Sequence, residues 1–145
     1  MRSRPKWFYA QSAVVPYRLV GGALQVLLIT SRRGKRWTVP KGVVEPTMTP
    51  ADSAAKEAFE EAGIRGELAK KPLGAFEYEK WGGTCLVEVY ALHVREVLDE
   101  WPESDRRRRR WLDLATAMDE VGWVELRSIL RALADRIGDS PSVDG

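Results

Sequence analysis

A helix predicted over residues 49–63 constrains the fold more than any other feature, because the sequence marks both of its ends. Thr49 can cap its first turn, Pro50 suits the first helical position, and Asp52 follows three residues after the cap. Gly63 supplies the left-handed residue that ends a helix. The chain must therefore fold around a helix of defined length.

One side of this predicted helix consists of alanine. The members of the stripe are Ala51, Ala54, Ala55, Ala58 and Ala62. Residues at these intervals share a face when each advances by about 100° around the helix axis. Because such small side chains let another element approach closely, we expect the helix to pack on a β-sheet.

Runs of β-branched and apolar residues on both sides of the helix predict the strands of that sheet. They cover residues 11–17, 23–30, 37–39, 73–78, 85–97 and 109–112. Tight turns are expected at Gly21-Gly22 and at Trp81-Gly82-Gly83. Apolar residues at helical spacing over residues 123–137 predict a second amphipathic helix. We expect a mixed sheet in one domain over residues 1–138, followed by a flexible tail at residues 139–145.

Composition excludes several classes of protein. The chain of 145 residues, 44% apolar and 30% charged, is typical of one globular domain. Its longest apolar runs are far shorter than the ~20 residues that span a bilayer. No secretory signal follows the basic residues Arg2, Arg4 and Lys6, so we expect a cytoplasmic protein with no membrane partner. The lone Cys85 excludes an internal disulfide and is expected to be a buried small hydrophobe.

The charges are unevenly distributed although the net charge is only +2. Basic residues cluster at Arg32, Arg33, Lys35, Arg36, Lys41 and Arg106 to Arg110, whereas acidic residues cluster at Glu57, Glu60 and Glu61. A polyanionic ligand bridged by cations would suit both clusters.

The three glutamates project from one flank of the predicted helix, away from the alanine stripe. Glu57, Glu60 and Glu61 repel one another and lie near the negative end of the helix dipole. Mg²⁺, which prefers oxygen ligands, would relieve this repulsion. A solvated acidic face is the commoner explanation for such a trio alone, but Lys41 and Gly42 precede it. Gly42 permits close backbone approach to an ion, and Lys41 offers charge to a phosphate.

Residues 42–64 resemble the Nudix box, which ends in Arg-Glu-apolar-any-Glu-Glu-any-Gly-apolar. The corresponding segment here begins at Lys56, contains all three glutamates and ends at Gly63-Ile64. Met48 stands at the position of the first family glutamate, and Lys56 replaces the family arginine, so the rigidity of the loop before the helix is in question. Glu45 is near but out of register. The family implies an α+β fold in which a mixed sheet is sandwiched between helices.

The resemblance also implies roles for the residues. We expect Glu57 and Glu61 to hold Mg²⁺, or alternatively Mn²⁺, together with the carbonyl of Gly42. Glu60 is expected to bind metal or to take the proton from water. The expected substrate contacts are Arg32, Arg33, Lys35, Arg36, Lys41 and Arg108, whereas Glu100 and Glu103 are expected to be solvated. Among the tryptophans, Trp81 is the candidate for stacking on a nucleobase.

The basic lead into the box at residues 31–42, Glu45-Pro46 and the late arginine strand before Trp111 are similar to the diphosphoinositol-polyphosphate and diadenosine-polyphosphate hydrolase branch. This similarity implies hydrolysis of a phosphoanhydride in a small polyphosphate, by a monomer or a homodimer. Two alternatives stay open: removal of pyrophosphate from RNA 5′ ends, and a Nudix-fold module that binds a ligand without cutting it. Nucleic acid other than an RNA 5′ end is not expected as a partner.

Overall fold

The computed structural model describes residues 8–138; Arg2, Arg4 and Lys6 and the tail expected at residues 139–145 lie outside them. Within this range the strands are β1 Phe8–Val20, β2 Ala23–Thr30, β3 Trp37–Thr38, β4 Lys41–Val43, β5 Ile64–Leu68, β6 Gly74–Lys80, β7 Gly83–Val97 and β8 Arg109–Asp113. The helices are α1 Pro50–Glu57, which continues into a π-helical turn at Ala58–Ala62, then α2 Leu114–Glu120 and α3 Val124–Gly138.

The strands form a mixed sheet, as the sequence predicts. Its central pair, β1 and β7, is parallel, with a register that runs from Phe8 opposite Thr84 to Tyr17 opposite His93. The main path through the sheet is β3-β2-β1-β7-β5, while β4 pairs with β1, β6 with β7 and β8 with β2. Among the described residues, every pair of strands except β1 and β7 is antiparallel.

Helices cover both faces of the sheet, which confirms the expected sandwich. Because side chains alternate along β1, Val14 and Val15 are both fully buried but belong to different clusters. Val15 packs with Leu130 and Leu133 of α3, whereas Val14 packs with Ala58 of the π-helical turn. This packing fixes α1 and the π-helical turn on one face of the sheet.

The predicted helix has the expected ends but a changed interior. Thr49 accepts a hydrogen bond from the Asp52 backbone at 3.0 Å, and Gly63 has a φ of 67°. Ala54, Ala58 and Ala62 are fully buried, but the prediction for Ala55 was wrong because that residue is exposed. The π-helical turn advances less per residue than an α-helix, which keeps Ala62 in line with Ala58.

Three short elements of the fold were not predicted from the sequence. β4 has only three residues, β5 carries exposed polar residues in its interior, and α2 spans less than two full turns. Cys85 is buried, as expected. In the part of the chain that the structure describes, no helix combines the length and apolar character needed to cross a membrane.

Candidate active site

A cavity of about 580 Å³ opens where β4 meets the end of α1. Its lining includes all three predicted glutamates and several basic residues. Among the lining residues are Gln11, Arg32, Arg36, Trp37, Lys41, Gly42, Glu57, Glu60, Glu61, Lys80, Trp81, Glu103, Arg107 and Trp123. The cavity therefore joins an acidic group and a basic group that are separated in the sequence.

Because side chains alternate along β4, its successive residues line different sides of the cavity. Lys41 lies opposite Ala13, and Gly42 lies opposite Ser12, so their Cα–Cβ directions differ. A Cβ added to Gly42 would lie 2.2 Å from the Oε2 atom of Glu57. Only glycine therefore allows the Glu57 carboxylate to lie directly against the backbone of β4.

Glu61 is the most enclosed carboxylate of the trio. Its Oε1 atom accepts a hydrogen bond from the Lys41 backbone at 3.2 Å, and its Oε2 atom is 3.5 Å from Nη2 of Arg107. Burial raises the pKa of Glu61 to about 8, although the charge of Arg107 opposes the rise. Burial also raises the pKa of Glu57, against the effect of Lys56. Additional positive charge beside them would stabilise the ionised forms of both carboxyl groups.

Glu60 has different surroundings from its two neighbours. Its carboxylate forms an ion pair with Lys56 at 3.1 Å, and Lys56 also contacts Glu45 at 3.3 Å. Lys56 therefore links the loop before α1 to the π-helical turn, at the position where the Nudix box has arginine. Both pairs are partly exposed, so each contributes at most about 1 kcal/mol to stability. The backbone of Met48 donates to the Glu45 carbonyl at 3.0 Å, which closes a turn in the loop before α1.

The structure adds Arg107 and Glu103 to the predicted site. The Arg107 side chain is only 7% exposed; it donates to Glu103 at 2.9 Å and to the Thr30 carbonyl at 2.9 Å. The backbone of Glu103 donates to the Glu60 carbonyl at 3.1 Å. The expectation of a solvated Glu103 was wrong, because these bonds fold the loop between β7 and β8 onto the π-helical turn. Glu103 and Arg107 are four residues apart, a spacing at which opposite charges can pair, and this was the signal in the sequence.

Lys41 lies in an aromatic environment at the other side of β4. Its ammonium donates to the Tyr78 hydroxyl at 3.0 Å and lies 4.6 Å from the centre of the Trp123 ring. Burial, followed by the charge of Lys80, lowers the pKa of Lys41 to about 8. Tyr78 in turn donates to the side chain of Gln11 at 2.8 Å. No role was predicted for Gln11 or Tyr78, because they approach Lys41 only through the pairing of distant strands.

The predicted basic residues are divided between the cavity and the outer surface. Arg32, Arg36 and Lys41 line the cavity, whereas Arg33 and Lys35 are exposed outside its lining. The expected contact Arg108 is also outside the lining: it is exposed, its backbone donates to Thr30, and its guanidinium lies 5.9 Å from the Trp37 ring. The arginine that faces the cavity is its neighbour Arg107. Glu100 is exposed, as expected.

The donor atoms at this site suit a hard divalent cation. Within residues 8–138, no three acidic, histidine or cysteine side chains already form a closed metal cage. Mg²⁺ does not require one, since it commonly binds through one or two carboxylates, retained waters and the phosphates of a substrate. Glu57 and Glu61, whose pKa values are raised, together with the close backbone of Gly42, provide such an incomplete set of oxygen ligands.

Comparisons with known proteins agree with this geometry. The family model described as "NUDIX domain" matches residues 10–134. The chain is 35% identical over 154 residues to Nudix hydrolase 13, mitochondrial, of Arabidopsis thaliana, covering 88% of this chain and 76% of that protein. It is 34% identical over 116 residues to diphosphoinositol polyphosphate phosphohydrolase 3-alpha of Homo sapiens, covering 79% and 70%. The crystal structure of a C. elegans Ap4A hydrolase binary complex has a similar fold, with a TM-score of 0.73, 24% identity and coverage of 91% and 99%.

Proposed function

The chain belongs to the Nudix hydrolase family, and from this premise we propose that it cleaves a phosphoanhydride bond in a small polyphosphorylated substrate with the help of Mg²⁺ or Mn²⁺. The observation that carries the proposal is the meeting of Glu57, Glu61 and the bare backbone of Gly42 in a cavity that also contains cationic side chains. Carboxylates alone would repel a polyphosphate. A divalent ion bound by the carboxylate oxygens would offset this repulsion.

In this proposal Glu57, Glu61 and the Gly42 carbonyl would hold the ion, which would supply positive charge to the phosphate oxygens. Lys41, Arg32 and Arg36 bind the remaining phosphate charge. A water molecule forms the new bond to phosphorus while the bridging P–O bond breaks, and Glu60 accepts the proton from that water. The ion pair with Lys56 at 3.1 Å holds the Glu60 carboxylate at this position. Glu103 is the second candidate base, because its backbone bond to Glu60 brings it to the same cavity.

We propose dinucleoside polyphosphates or diphosphoinositol polyphosphates as the substrates. Relatives of this chain carry the names of such hydrolases, and both classes combine several phosphates with a compact organic group. Arg108 and Arg110, which are exposed beside Trp37, favour an RNA 5′ end as the second candidate, since arginines on an outer surface can contact a nucleic acid backbone. A monomer and a homodimer are both compatible with the proposal.

Phosphate release from three substrates tests the proposal: a dinucleoside polyphosphate, a diphosphoinositol polyphosphate and a short 5′-triphosphorylated RNA at equal ionic strength. We expect turnover of at least one that requires Mg²⁺ and stops with chelator. Glu60→Gln should lower kcat by about 10²–10⁴-fold if Glu60 is the base. The matched control is Glu77→Gln, which changes an exposed glutamate outside the cavity. Wild-type kcat in Glu60→Gln would reassign the base to Glu103, and saturable binding without any product would reject hydrolysis of these substrates.

A further inference from the structure

Trp81 occupies a backbone position that tryptophan seldom adopts. Lys80 pairs with Gly83 across β6 and β7, so Trp81 and Gly82 form a two-residue turn. Both have positive φ angles, 55° and 72°, which is typical of the type I′ turns that favour asparagine or glycine. A residue with a Cβ pays roughly 1–2 kcal/mol for the left-handed region. Strain of this kind persists where the surrounding structure fixes it, and it is frequent at functional sites.

Neighbouring groups hold the turn in this conformation. The Tyr9 hydroxyl donates to the Trp81 carbonyl at 3.3 Å, and the Tyr9 ring meets the Trp81 ring edge-on at a centroid distance of 5.2 Å. The ammonium of Lys80 lies 4.4 Å from the centre of the Trp81 ring. Nevertheless 54% of Trp81 is exposed, so the ring is positioned without being buried.

Trp81 differs in this respect from the other tryptophans that line the cavity. Trp123 is enclosed by Lys41 and by the rings of Phe76 and Tyr78, and it is only partly exposed. Trp37 lies beneath the guanidinium groups of two arginines of the late basic run and is also only partly exposed. Trp81 therefore has the largest open aromatic surface among these three.

The exposed Trp81 ring lies at one end of a series of charged groups in the cavity. The Lys41 backbone bonds to Glu61, Lys80 is close enough to Lys41 to act on its charge, and Lys80 also lies against Trp81. Carboxylates, two cations and an exposed aromatic ring thus follow one another. A polyphosphate chain that crosses the cations would bring its organic end to Trp81.

We propose that Trp81 determines specificity by stacking on the base of a nucleotide, so that the substrates are nucleoside polyphosphates rather than inositol pyrophosphates. This inference rests on the proposed hydrolase function. A planar base offers its whole face to an indole, whereas an inositol ring is puckered and carries charged phosphates. Stacking between a base and an aromatic side chain contributes about 1–3 kcal/mol per base.

The test compares Trp81→Asn with Trp81→Phe and the wild type. Asparagine tolerates the left-handed conformation, which offsets the loss of the ring contacts with Tyr9 and Lys80, so Trp81→Asn should stay folded with a melting temperature close to that of the wild type. We expect KM for diadenosine tetraphosphate to rise about tenfold, with kcat changed by less than about twofold, as for the loss of uniform binding. KM for a diphosphoinositol polyphosphate should not change, and Trp81→Phe should stay close to wild type. Equal effects on both substrates, or a KM unaffected by Trp81→Asn, would overturn the inference.

Binding measurements separate a failure of this inference from a failure of the proposed function. Calorimetric titration compares ATP with inorganic tripolyphosphate, which has the same phosphate chain but no base. We expect Trp81→Asn to weaken ATP binding and to leave tripolyphosphate binding unchanged. If the wild type hydrolyses no polyphosphate yet shows this difference, the proposed function fails and the stacking role stands. If Trp81→Asn weakens the binding of ATP and of tripolyphosphate equally, or weakens neither, the stacking role is rejected whatever the enzyme hydrolyses.

Discussion

At the carboxylate end of the cavity, formed by Gly42, Glu57, Glu61 and Arg107, the Glu61 and Arg107 side chains are only 11% and 7% exposed. The rim of the cavity is formed by Arg32, Arg36, Lys80 and Trp81. All four side chains are exposed, and Trp81 is 54% exposed. The two regions line one cavity but are stabilised differently. Burial and close packing fix the carboxylate end before a ligand arrives, whereas the rim residues can adjust to it.

This difference suggests that reaction chemistry and substrate choice are separable here. Groups that must hold an ion and a water need positions accurate to a fraction of an ångström, which buried hydrogen bonds provide. Groups that bind phosphates of varying number benefit from long, mobile side chains. Substitutions at the carboxylate end should therefore affect stability and kcat, and substitutions at the rim should affect KM.

The largest effect is expected from Arg107→Met, which removes the cation that contacts both Glu61, at 3.5 Å, and Glu103, at 2.9 Å. Breaking a buried ion pair while leaving its partner in place costs about 3–5 kcal/mol. We therefore expect the free energy of unfolding to fall by that amount without metal. Above about pH 8, where Glu61 is ionised in the folded protein, a divalent ion can neutralise it in place of the guanidinium, so Mg²⁺ should raise the melting temperature of the variant more than that of the wild type. Denaturant unfolding with and without Mg²⁺ measures both.

The matched control for this variant is Arg106→Met, whose side chain is 60% exposed and forms an ion pair with the exposed Asp105 at 3.8 Å. Its unfolding free energy should change by less than about 1 kcal/mol. Equal losses in the two variants would mean that Arg107 does not stabilise the carboxylate end more than a surface arginine would.

The next effect concerns pH and follows from Glu61. Because burial raises its folded-state pKa from 4.5 to about 8, the folded protein holds this proton more tightly than the unfolded chain. Without metal, its contribution to stability is fully present below about pH 4.5 and is lost as pH rises through about 8. A divalent ion binds the ionised carboxylate, so Mg²⁺ affinity should rise by up to about tenfold per pH unit below pH 8 and then level off.

Calorimetric titration of Mg²⁺ between pH 6 and 9 measures this dependence, and Glu61→Gln serves as the comparison. The glutamine variant has no proton to release at this position, so its residual Mg²⁺ binding should vary less with pH. A wild-type Mg²⁺ affinity that stays constant across this range would show that Glu61 is already ionised at pH 6. Burial would then not raise its pKa as expected.

The same contrast explains which features could be predicted from the sequence. The ends of α1 depend on Thr49 and Gly63, and the grouping of the three glutamates depends on helical spacing, so neighbouring residues contain the necessary information. Whether Arg107 or Arg108 faces inward depends on the register of β8 against β2, where Ile29 lies opposite Arg109. That register is set by packing across the sheet, and no local pattern within a run of five arginines reveals it.

Other features also depended on distant residues. The aromatic surroundings of Lys41 combine β4, β6 and the start of α3, and the short strands β4 and β5 exist through their pairing with β1 and β7. The left-handed conformation of Trp81 has no signal in tryptophan itself, although Gly82 and Gly83 correctly predict a turn there. The metal and substrate roles of the predicted residues stay predictions until the experiments above are done.

The smallest effect is expected at the rim, from Arg36→Ala. Arg36 is exposed and lines the cavity, so its charge can attract phosphate both before and during the reaction without being placed accurately. We expect KM to rise about fivefold with kcat unchanged, the pattern for binding that is equal in the ground and transition states. The difference from wild type should shrink at high ionic strength because salt screens exposed charges. Steady-state kinetics at two salt concentrations, with Arg33→Ala as the exposed arginine outside the cavity, provide the measurement. A fall in kcat for Arg36→Ala would place this residue with the carboxylate end in function despite its exposure, because only a group that acts more strongly on the transition state changes turnover.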